Sequence, residues 1–325
     1  MFLSQTSLRR ILGALWLIDG LFQLQPQMFT LKLVNSVMMP TMMGQPGPIA
    51  DNLLWINTLT AQHVLLINSF IAVVQIAIGM LLLWGRWAKG VVIASIAWSL
   101  LVWYAGEGFG MLLTGQASIL TGAPGAVILY PLLGLLIYPR KSSSKAGGAD
   151  VDGLLSRKGL RWALAGFWIF VALLQLQPYW WQAGPKWGQI SLALGKLVGA
   201  GGLDTFLVDP VLNKLADATV SLEIPLNIVL IEVFLGLGIT LALVKRERLR
   251  PWLVVSLILS FLIWWITQAF GMIFTGFTTD FNSGLLLMLM ALACWPRVQR
   301  AYSTASKSSQ AKIQPEDSAQ LAQSM

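Results

Sequence analysis

Long apolar runs separated by short polar or glycine-rich segments occupy this chain from residue 8 to residue 295. A helix needs about 17–25 mostly apolar residues to cross a hydrocarbon core about 30 Å thick, where only helices and closed barrels satisfy their own backbone. The pattern predicts eight membrane-spanning helices, at residues 8–25, 63–84, 88–104, 123–138, 160–177, 224–244, 252–268 and 282–295.

The fourth and eighth runs are short for a span, so we expect their helices to begin deeper in the preceding loops. The first run lacks a small-residue cleavage site and recurs later in the chain, which favours a retained helix over a signal peptide. Composition agrees, since 56% of the 325 residues are hydrophobic and only 11% are charged. We predict an all-α integral membrane fold, multi-pass in the cell membrane, with the lipid bilayer as its first partner.

The net charge of +8 invites a nucleic-acid interpretation, which the distribution of that charge argues against. When alternate loops are assigned to opposite sides of the membrane, 18 of the 22 basic residues fall on one side. The positive-inside rule then places both termini in the cytoplasm, in agreement with an even number of spans. The basic residues therefore indicate topology, and we predict no nucleic-acid partner.

Two stretches of sequence recur about 150 residues apart. RRILGALWLIDGLFQLQP (9–26) aligns with RWALAGFWIFVALLQLQP (161–178) at an offset of 152, and VWYAGEGFGMLLTG (102–115) aligns with IWWITQAFGMIFTG (263–276) at an offset of 161. LIYPR and ACWPR then end the two units. Because each unit has four spans, an even number, we expect two parallel repeats related by an axis along the membrane normal.

The duplication predicts four segments. A first four-helix unit occupies 1–140 and a second occupies 159–300. Between them, 141–158 contains SSSKAGGAD, which lacks apolar periodicity and is expected to be a polar cytoplasmic linker. The tail at 301–325 is similarly polar, and we expect it to be a disordered cytoplasmic segment.

The stretches RRILGALWLIDG, QIAIGMLLLWGR and IEVFLGLGITLAL combine an arginine-started first helix with a second helix that carries a polar residue before a glycine. In this the chain resembles the DoxX-like superfamily, as two four-helix units fused in tandem. The resemblance implies the fold of each unit. Members of that superfamily are associated with membrane redox systems, including a thiosulfate:quinone oxidoreductase subunit, so it also implies quinone as a candidate ligand and a membrane redox protein as a candidate partner.

Several kinds of redox and nucleotide chemistry lack the residues they need. The chain has one histidine, His63, which excludes haem held between paired histidines. Cys294 is the only cysteine, so the chain cannot cycle between a dithiol and a disulfide of its own. No glycine-rich phosphate-binding motif follows a strand pattern. We therefore predict no internal cofactor and no metal.

The middle of the first span carries an acid. Trp16, Asp19 and Gln23 stand at i, i+3 and i+7 and share one helix face. A charged residue there costs about 2.5–3.5 kcal/mol on insertion scales and generally faces a bundle interior or a wet cavity. In the second unit this face carries Val171 and Gln175, without the acid.

On the second span of each unit we pair Gln75 with Glu232, because each precedes a glycine by four residues. In this pairing each half keeps one intramembrane carboxylate. We predict an interior ligand-binding site lined by Asp19, Gln23, Gln75, Gln175 and Glu232. The alternative is helix–helix hydrogen bonding without a ligand, worth about 0.6–2 kcal/mol per contact.

Residues 106–126 are too apolar for a solvated loop and too glycine-rich for a regular span. Irregular backbone at membrane depth is tolerated only where it is buried in protein or lines a cavity. The partial recurrence of this segment as AFGMIFTG therefore favours a shaped outer pocket with Glu107 at its rim; the equivalent residue of the second unit is Gln268. The alternative is close helix packing through small residues.

Four methionines, at 38, 39, 42 and 43, cluster on the outer side. Thioethers are soft ligands that suit Cu(I), but methionine is also a common apolar filler, and no histidine or cysteine lies in the segment. The sequence leaves both interpretations open and favours the filler.

Two functions remain. The first is a transporter of a small or lipophilic molecule, or an accessory subunit, with a cavity between the two units; a homo-oligomer is compatible with it. The second is a quinone-binding subunit of a membrane oxidoreductase that receives electrons from another protein. We favour the first, because the residues supply no internal electron carrier.

Overall fold

The computed structural model describes residues 3–138, 153–196, 198, 206 and 208–296. We call residues 3–138 the first repeat and the described residues from 153 to 296 the second repeat. The predicted tail at 301–325, most of the predicted linker at 141–158 and the repeated arginines at 140 and 297 lie outside the described residues.

The described chain is helical apart from its loops and one short hairpin. The first repeat contains α1 Gln5–Phe22, α2 Met39–Met42, α3 Gly47–Gln62, α4 Val64–Trp84, α5 Ala88–Ala105 and α6 Leu129–Ile137. The second contains α7 Arg157–Leu174, α8 Gln189–Gly195, α9 Asp209–Thr219, α10 Glu223–Leu243, α11 Leu249–Leu262 and α12 Asn282–Ala293. The hairpin pairs β1 Ala183–Gly184 with β2 Trp187–Gly188 in antiparallel fashion.

Four helical segments in the described chain are long and apolar enough to cross a membrane, by length and composition: Val64–Trp84, Ala88–Ala105, Glu223–Leu243 and Arg246–Thr267. This supports a multi-pass membrane protein and matches four of the eight predicted spans. The last of the four joins a 3-10 turn, α11 and the π-helical turn Ile263–Thr267.

The other four predicted spans differ in length. Both α1 and α7 have 18 residues, whereas α6 has nine and α12 has twelve. At 1.5 Å per residue, nine residues reach only about 14 Å. The expectation that the fourth and eighth helices begin early was wrong, since α6 begins at Leu129 after an irregular segment and α12 begins at Asn282. The eight-span topology and the cytoplasmic termini stay predictions.

Glycines bring the first two long helices of each repeat close together. A Cβ atom at Gly79 of α4 would lie 2.8 Å from the Gly13 carbonyl oxygen of α1, and one at Gly238 of α10 would lie 2.8 Å from the Ala165 carbonyl oxygen of α7. Small residues let helix backbones approach where lipid offers no hydrophobic driving force. The glycines therefore fix α4 against α1 and α10 against α7.

The two repeats form the same hydrogen bonds between their first and third long helices. Trp16 of α1 donates its indole N–H to the hydroxyl of Ser95 on α5 at 2.7 Å. Trp168 of α7 donates in the same way to Ser256 of α11 at 3.1 Å. Offsets of 152 and 161 residues, the same as in the sequence alignment, relate these pairs.

Buried asparagines close the ends of α1 and α7. The Asn68 amide donates to the Gln23 carbonyl oxygen at 2.8 Å, and the Asn227 amide donates to the Gln175 carbonyl oxygen at 3.1 Å. The last carbonyls of a helix have no partner within the helix, so these bonds satisfy groups that would otherwise be buried alone. They also relate α4 to α10 at an offset of 159 residues.

Arginines bind the opposite ends of the same helix pairs. Arg9 donates to the carbonyl oxygen of Leu82 at the end of α4. Arg161 donates to the carbonyl oxygen of Leu241 at the end of α10, at 2.6 Å. A cation near the final carbonyls of a helix is favourable, and these pairs again give offsets of 152 and 159.

Each repeat has an irregular segment after its third long helix. Phe109 and Gly110 adopt φ angles of 56° and 59°, and Phe270 and Gly271 adopt 54° and 72°. A Cβ atom on Gly271 would lie 2.8 Å from the carbonyl oxygen of Phe281, so the residue must be small as well as left-handed. The predicted irregular backbone is therefore present, and in both repeats.

The irregular segments cross from one repeat to the other. Gln177 and Trp180, beyond the end of α7, both donate to the Ala117 carbonyl oxygen, at 3.0 and 3.2 Å. In the reverse direction, the ring of Phe281 contacts the ring of Phe22 on α1 with centroids 5.4 Å apart. Each repeat thus contributes one loop to the other repeat, at the end where α1 and α7 terminate.

Candidate functional site

A cavity of about 440 Å³ lies within the first repeat. Its walls come from α1, α4 and α5, the segment between α1 and α4, and the irregular loop after α5. The second repeat adds Thr279, Asp280 and Asn282. The cavity therefore lies inside one repeat, with a loop of the other closing it, and not midway between the two as predicted. The polar lining residues are Asp19, Gln23, Thr41, Thr60, Gln75, Glu107, Thr121, Thr279, Asp280 and Asn282.

Asp19 lies on the cavity wall in the middle of α1, where 2% of the residue is exposed. Tyr130 at the start of α6 donates its hydroxyl to Asp19 Oδ2 at 2.6 Å. The ring of Tyr130 also packs on Trp16, with centroids 4.6 Å apart. Asp19 Oδ1 is buried without a hydrogen-bond partner in the described protein. Tyr130 therefore positions one oxygen of the carboxyl group and leaves the other available to a ligand.

Glu107 follows the end of α5 and forms a second acidic wall, outside the helical spans. Its Oε1 accepts the backbone N–H groups of Ala126 and Val127, at 3.0 and 3.2 Å, and its Oε2 is buried without a partner in the described protein. Burial raises the pKa of Glu107 to about 8, and the charge of Asp280 raises it in the same direction, against the opposing effect of the two N–H groups.

Asp280, in the loop before α12, is the third carboxyl on the cavity. Its Oδ1 accepts the N–H of Asn282 at 2.6 Å, and its Oδ2 accepts the Thr279 hydroxyl at 2.9 Å. Burial also raises the pKa of Asp280. The sequence analysis missed this residue; the available signal was an acid in the short loop between two apolar runs.

Three neutral groups present unsatisfied polar atoms to the same space. Gln23 and Gln75 are buried, and the Oε1 atom of each lacks a partner; the indole N–H of Trp98 is buried without an acceptor. A buried unsatisfied polar atom costs about 1–3 kcal/mol, so a partner that reaches these three atoms would stabilise them. In a cavity they are groups that a bound molecule can satisfy.

The cavity contains acids and no bases. None of its lining residues is lysine, arginine or histidine, so no protein cation within the lining neutralises the three carboxyl groups. The rest of the wall is mostly apolar, with Ile67, Phe70 and Ile71 on α4 and Leu101 on α5. This combination favours a molecule with an apolar body and a polar end that is cationic or donates hydrogen bonds.

Four of the six predicted ligand-binding residues meet in the cavity: Asp19, Gln23, Gln75 and Glu107. Gln175 does not reach it. It is buried in the second repeat, where its amide donates to the Ser118 hydroxyl, so its role there is to bind the first repeat's loop. The helix-packing alternative is thus the better description of Gln175.

Glu232 was also placed wrongly. It is exposed on α10, and a Cβ atom on Gly236 one turn later would contact nothing within 4 Å, so this face of the helix points away from the protein. The offset of 159 residues on this helix makes Phe234, not Glu232, the counterpart of Gln75. An error of two positions rotates a helical residue by about 200°, onto the opposite face.

The outer methionines have different surroundings. Met38 lines the cavity, the Met39 sulfur accepts an N–H from Asn57 at 3.4 Å, and Met43 is 64% exposed. Because these methionines lie in three different environments, they are better described as apolar filler than as ligands of one copper ion. In the described ranges, no group of three or more His, Cys, Asp or Glu residues is placed to hold a metal ion.

Comparison with known proteins does not add an identity to this geometry. No protein-family model, curated protein or solved structure matches the chain. The resemblance to the DoxX-like superfamily therefore stays a prediction from the sequence motifs, and the function has to be argued from the cavity itself.

Proposed function

We propose that this chain is a multi-pass protein of the cell membrane that binds a small lipophilic molecule in the first repeat, as a transporter or as an accessory subunit of a membrane assembly. The polar end of the ligand is cationic or rich in hydrogen-bond donors. The observation that carries the proposal is the cavity itself, in which three carboxyl groups and several unsatisfied polar atoms face apolar walls and no base.

The size and chemistry of the cavity support this proposal. Its volume of about 440 Å³ lies within the range of about 300–1,000 Å³ found for small-molecule sites, which are mostly apolar with a few placed polar groups. A cation near Asp19 Oδ1 and Glu107 Oε2 would satisfy atoms that the described protein leaves without partners. A ligand carboxylate or phosphate would instead bring only acceptor oxygens to these acceptor oxygens, and burying an anion without a cation beside it is costly.

The test is calorimetric titration of hexylamine into the purified protein, with hexanoate as the anionic counterpart. We expect hexylamine to bind and hexanoate not to bind. Asp19→Asn keeps the shape of the side chain and removes its charge, so it should weaken hexylamine binding about tenfold, as expected for the loss of about 1.4 kcal/mol from a charge-assisted contact.

Glu232→Gln is the matched control, because Glu232 is also a carboxyl in the middle of an apolar helix but lies outside the cavity. It should leave hexylamine binding unchanged. Equal losses from both substitutions, or binding of hexanoate as tight as that of hexylamine, would contradict the proposal.

A quinone-binding subunit of a membrane oxidoreductase is the second candidate. The supporting observation is the free indole N–H of Trp98 near Gln23 and Gln75 in the cavity wall, since quinone carbonyls require hydrogen-bond donors. This function needs a membrane redox partner to supply electrons. Quinone that co-purifies with the wild type and is lost in Trp98→Phe would favour it, whereas a quinone-free protein that binds hexylamine would exclude it as the main function.

A further inference from the structure

We infer that the ligand is an amphiphile with a long alkyl chain, which reaches the cavity sideways from the bilayer between α4 and α5 and keeps its tail in the groove between these helices. This inference rests on the proposed function and specifies its substrate class as single-chain alkyl cations. Four features support it: the groove, its continuity with the cavity, the unsatisfied polar atoms at one end, and the contrast with the second repeat.

The groove runs along the bilayer-facing side of α4 and α5 and has a volume of about 700 Å³. Both helices are candidate membrane spans with most of their surface directed away from the protein. On α5 the groove follows Gly90, Ala94, Ala97 and Leu101, which at 1.5 Å per residue gives a length of about 16 Å. Every lining residue except Trp87 and Trp98 is wholly apolar or glycine, as an alkyl chain requires.

The groove and the cavity share a wall. Trp98 and Leu101 line both spaces. Across the boundary, the ring of Phe70 meets Trp98 edge-on with centroids 5.9 Å apart. Phe70 is 59% exposed and Leu101 is 51% exposed, although both line the cavity. The cavity therefore opens between these side chains toward the membrane.

A groove of small residues alone would not indicate a ligand, but this one leads to a built polar end. Asp19 and Gln75 are almost fully buried, at 2% and 4% exposure, and each has a side-chain oxygen without a partner in the described protein. An amphiphile with its head at these oxygens and its tail in the groove would fill both spaces in a single binding mode.

The second repeat has larger residues on the α11 side of the equivalent surface, and it lacks the buried acid Asp19. At the offset of 161 residues, the counterparts of Gly90, Ala94 and Ala97 are Pro251, Val255 and Ile258. The small residues and the buried acid thus occur in the same repeat. This pairing is expected if both serve one ligand, and it supplies substitutions that the fold already accommodates.

The test compares hexylamine with dodecylamine on the wild type and on Ala97→Ile, which places the second repeat's side chain in the groove. Overpacking a close-fitting site is destabilising, so dodecylamine binding should weaken about tenfold. Hexylamine, which only reaches the cavity, should change less than twofold. Taking the ratio of variant to wild type for each amine cancels the partitioning of the amine into detergent.

Ile258→Ala, the reverse change in the second repeat, should affect neither amine. Photolabelling of the wild type by dodecylamine with a diazirine at its tail end provides a readout that needs no variant. The label should attach to residues 73–101. Equal effects of Ala97→Ile on both amines, or labelling confined to the outer segment 33–60, would overturn the lateral site while leaving the head site intact. A wild type that binds neither amine would overturn the proposed function and this inference together.

Discussion

The two repeats share their scaffold and differ in their interior. The Trp–Ser, Asn–carbonyl and Arg–carbonyl bonds occur in both. Inside the second repeat, however, the position of Asp19 is taken by Val171 and that of Gln75 by Phe234, both fully buried. Phe234 packs on Trp168 with centroids 5.7 Å apart, where the first repeat leaves room for the cavity.

This difference separates the residues that build the fold from those that serve a ligand. A polar group found in both repeats is explained by folding, because it satisfies the same helix end or fixes the same helix pair. A polar group found in one repeat, against an apolar counterpart, is not needed to form the fold. Asp19 and Gln75 are of the second kind, which strengthens their assignment to the site.

The largest expected effect comes from giving the first repeat the interior of the second. Asp19→Val combined with Gln75→Phe should abolish hexylamine binding, by about a hundredfold or more, since removal of a buried charged partner costs about 3–5 kcal/mol. The variant should still fold, because the second repeat accommodates both side chains. Calorimetric titration measures the binding, and the thermal midpoint in detergent checks the fold.

The reverse exchange sharpens this prediction. Val171→Asp alone should lower the thermal midpoint without creating a binding site, because the second repeat has Leu287 at the position of Tyr130 and offers no hydroxyl to the new acid. If the protein with both Asp19→Val and Gln75→Phe bound hexylamine at wild-type affinity, the cavity would not be the binding site.

A middle-sized effect is expected where the repeats are the same. Asn68→Leu and Asn227→Leu each remove the donor that satisfies the last carbonyl of α1 or α7. Each should therefore lower stability by about 1–3 kcal/mol, the cost of leaving a buried acceptor unsatisfied. Denaturant unfolding in detergent measures the loss. A loss in one repeat only would break the equivalence of the two scaffolds.

The interior face of α1 could be predicted from the sequence because helix geometry fixes it. Spacing at i, i+3 and i+7 places Trp16, Asp19 and Gln23 together wherever the helix lies, and all three line the cavity. The duplication could also be predicted from the sequence, since residues that recur in it, such as Trp16 and Trp168, form equivalent hydrogen bonds in the two repeats.

The errors concern properties that are not local. The segments between the first two long helices differ in length between the repeats, so aligning glycines placed Glu232 two residues away from the true register, which only the contacts of α10 establish. Asp280 was missed because it enters the cavity from the other repeat. The hydrophobic periodicity of a segment does not indicate which loop of one repeat contacts the other repeat.

The smallest expected effect is on the pH dependence of stability. It concerns Glu107, in the loop after α5, whose counterpart in the second repeat is Gln268. Because burial raises the pKa of Glu107 from 4.5 to about 8, the folded state keeps a proton between these pH values that the unfolded chain releases. Stability should therefore be full below about pH 4.5, fall as the pH rises toward 8, and then level off.

Glu107→Gln should remove part of this slope, so its thermal midpoint should fall less between pH 5 and pH 8 than that of the wild type, by a few degrees. Asp19 and Asp280 line the same cavity and Tyr130 donates to Asp19, and all three remain in both proteins, so the difference reports the substitution at Glu107. Gln268 already holds the equivalent loop by accepting the N–H of Gly284 at 2.9 Å, which indicates that glutamine fits this position. Identical pH profiles for the wild type and Glu107→Gln would mean that Glu107 is ionised in the folded protein across this range. The two repeats would then also differ in charge at the loop position that Glu107 occupies in one and Gln268 in the other.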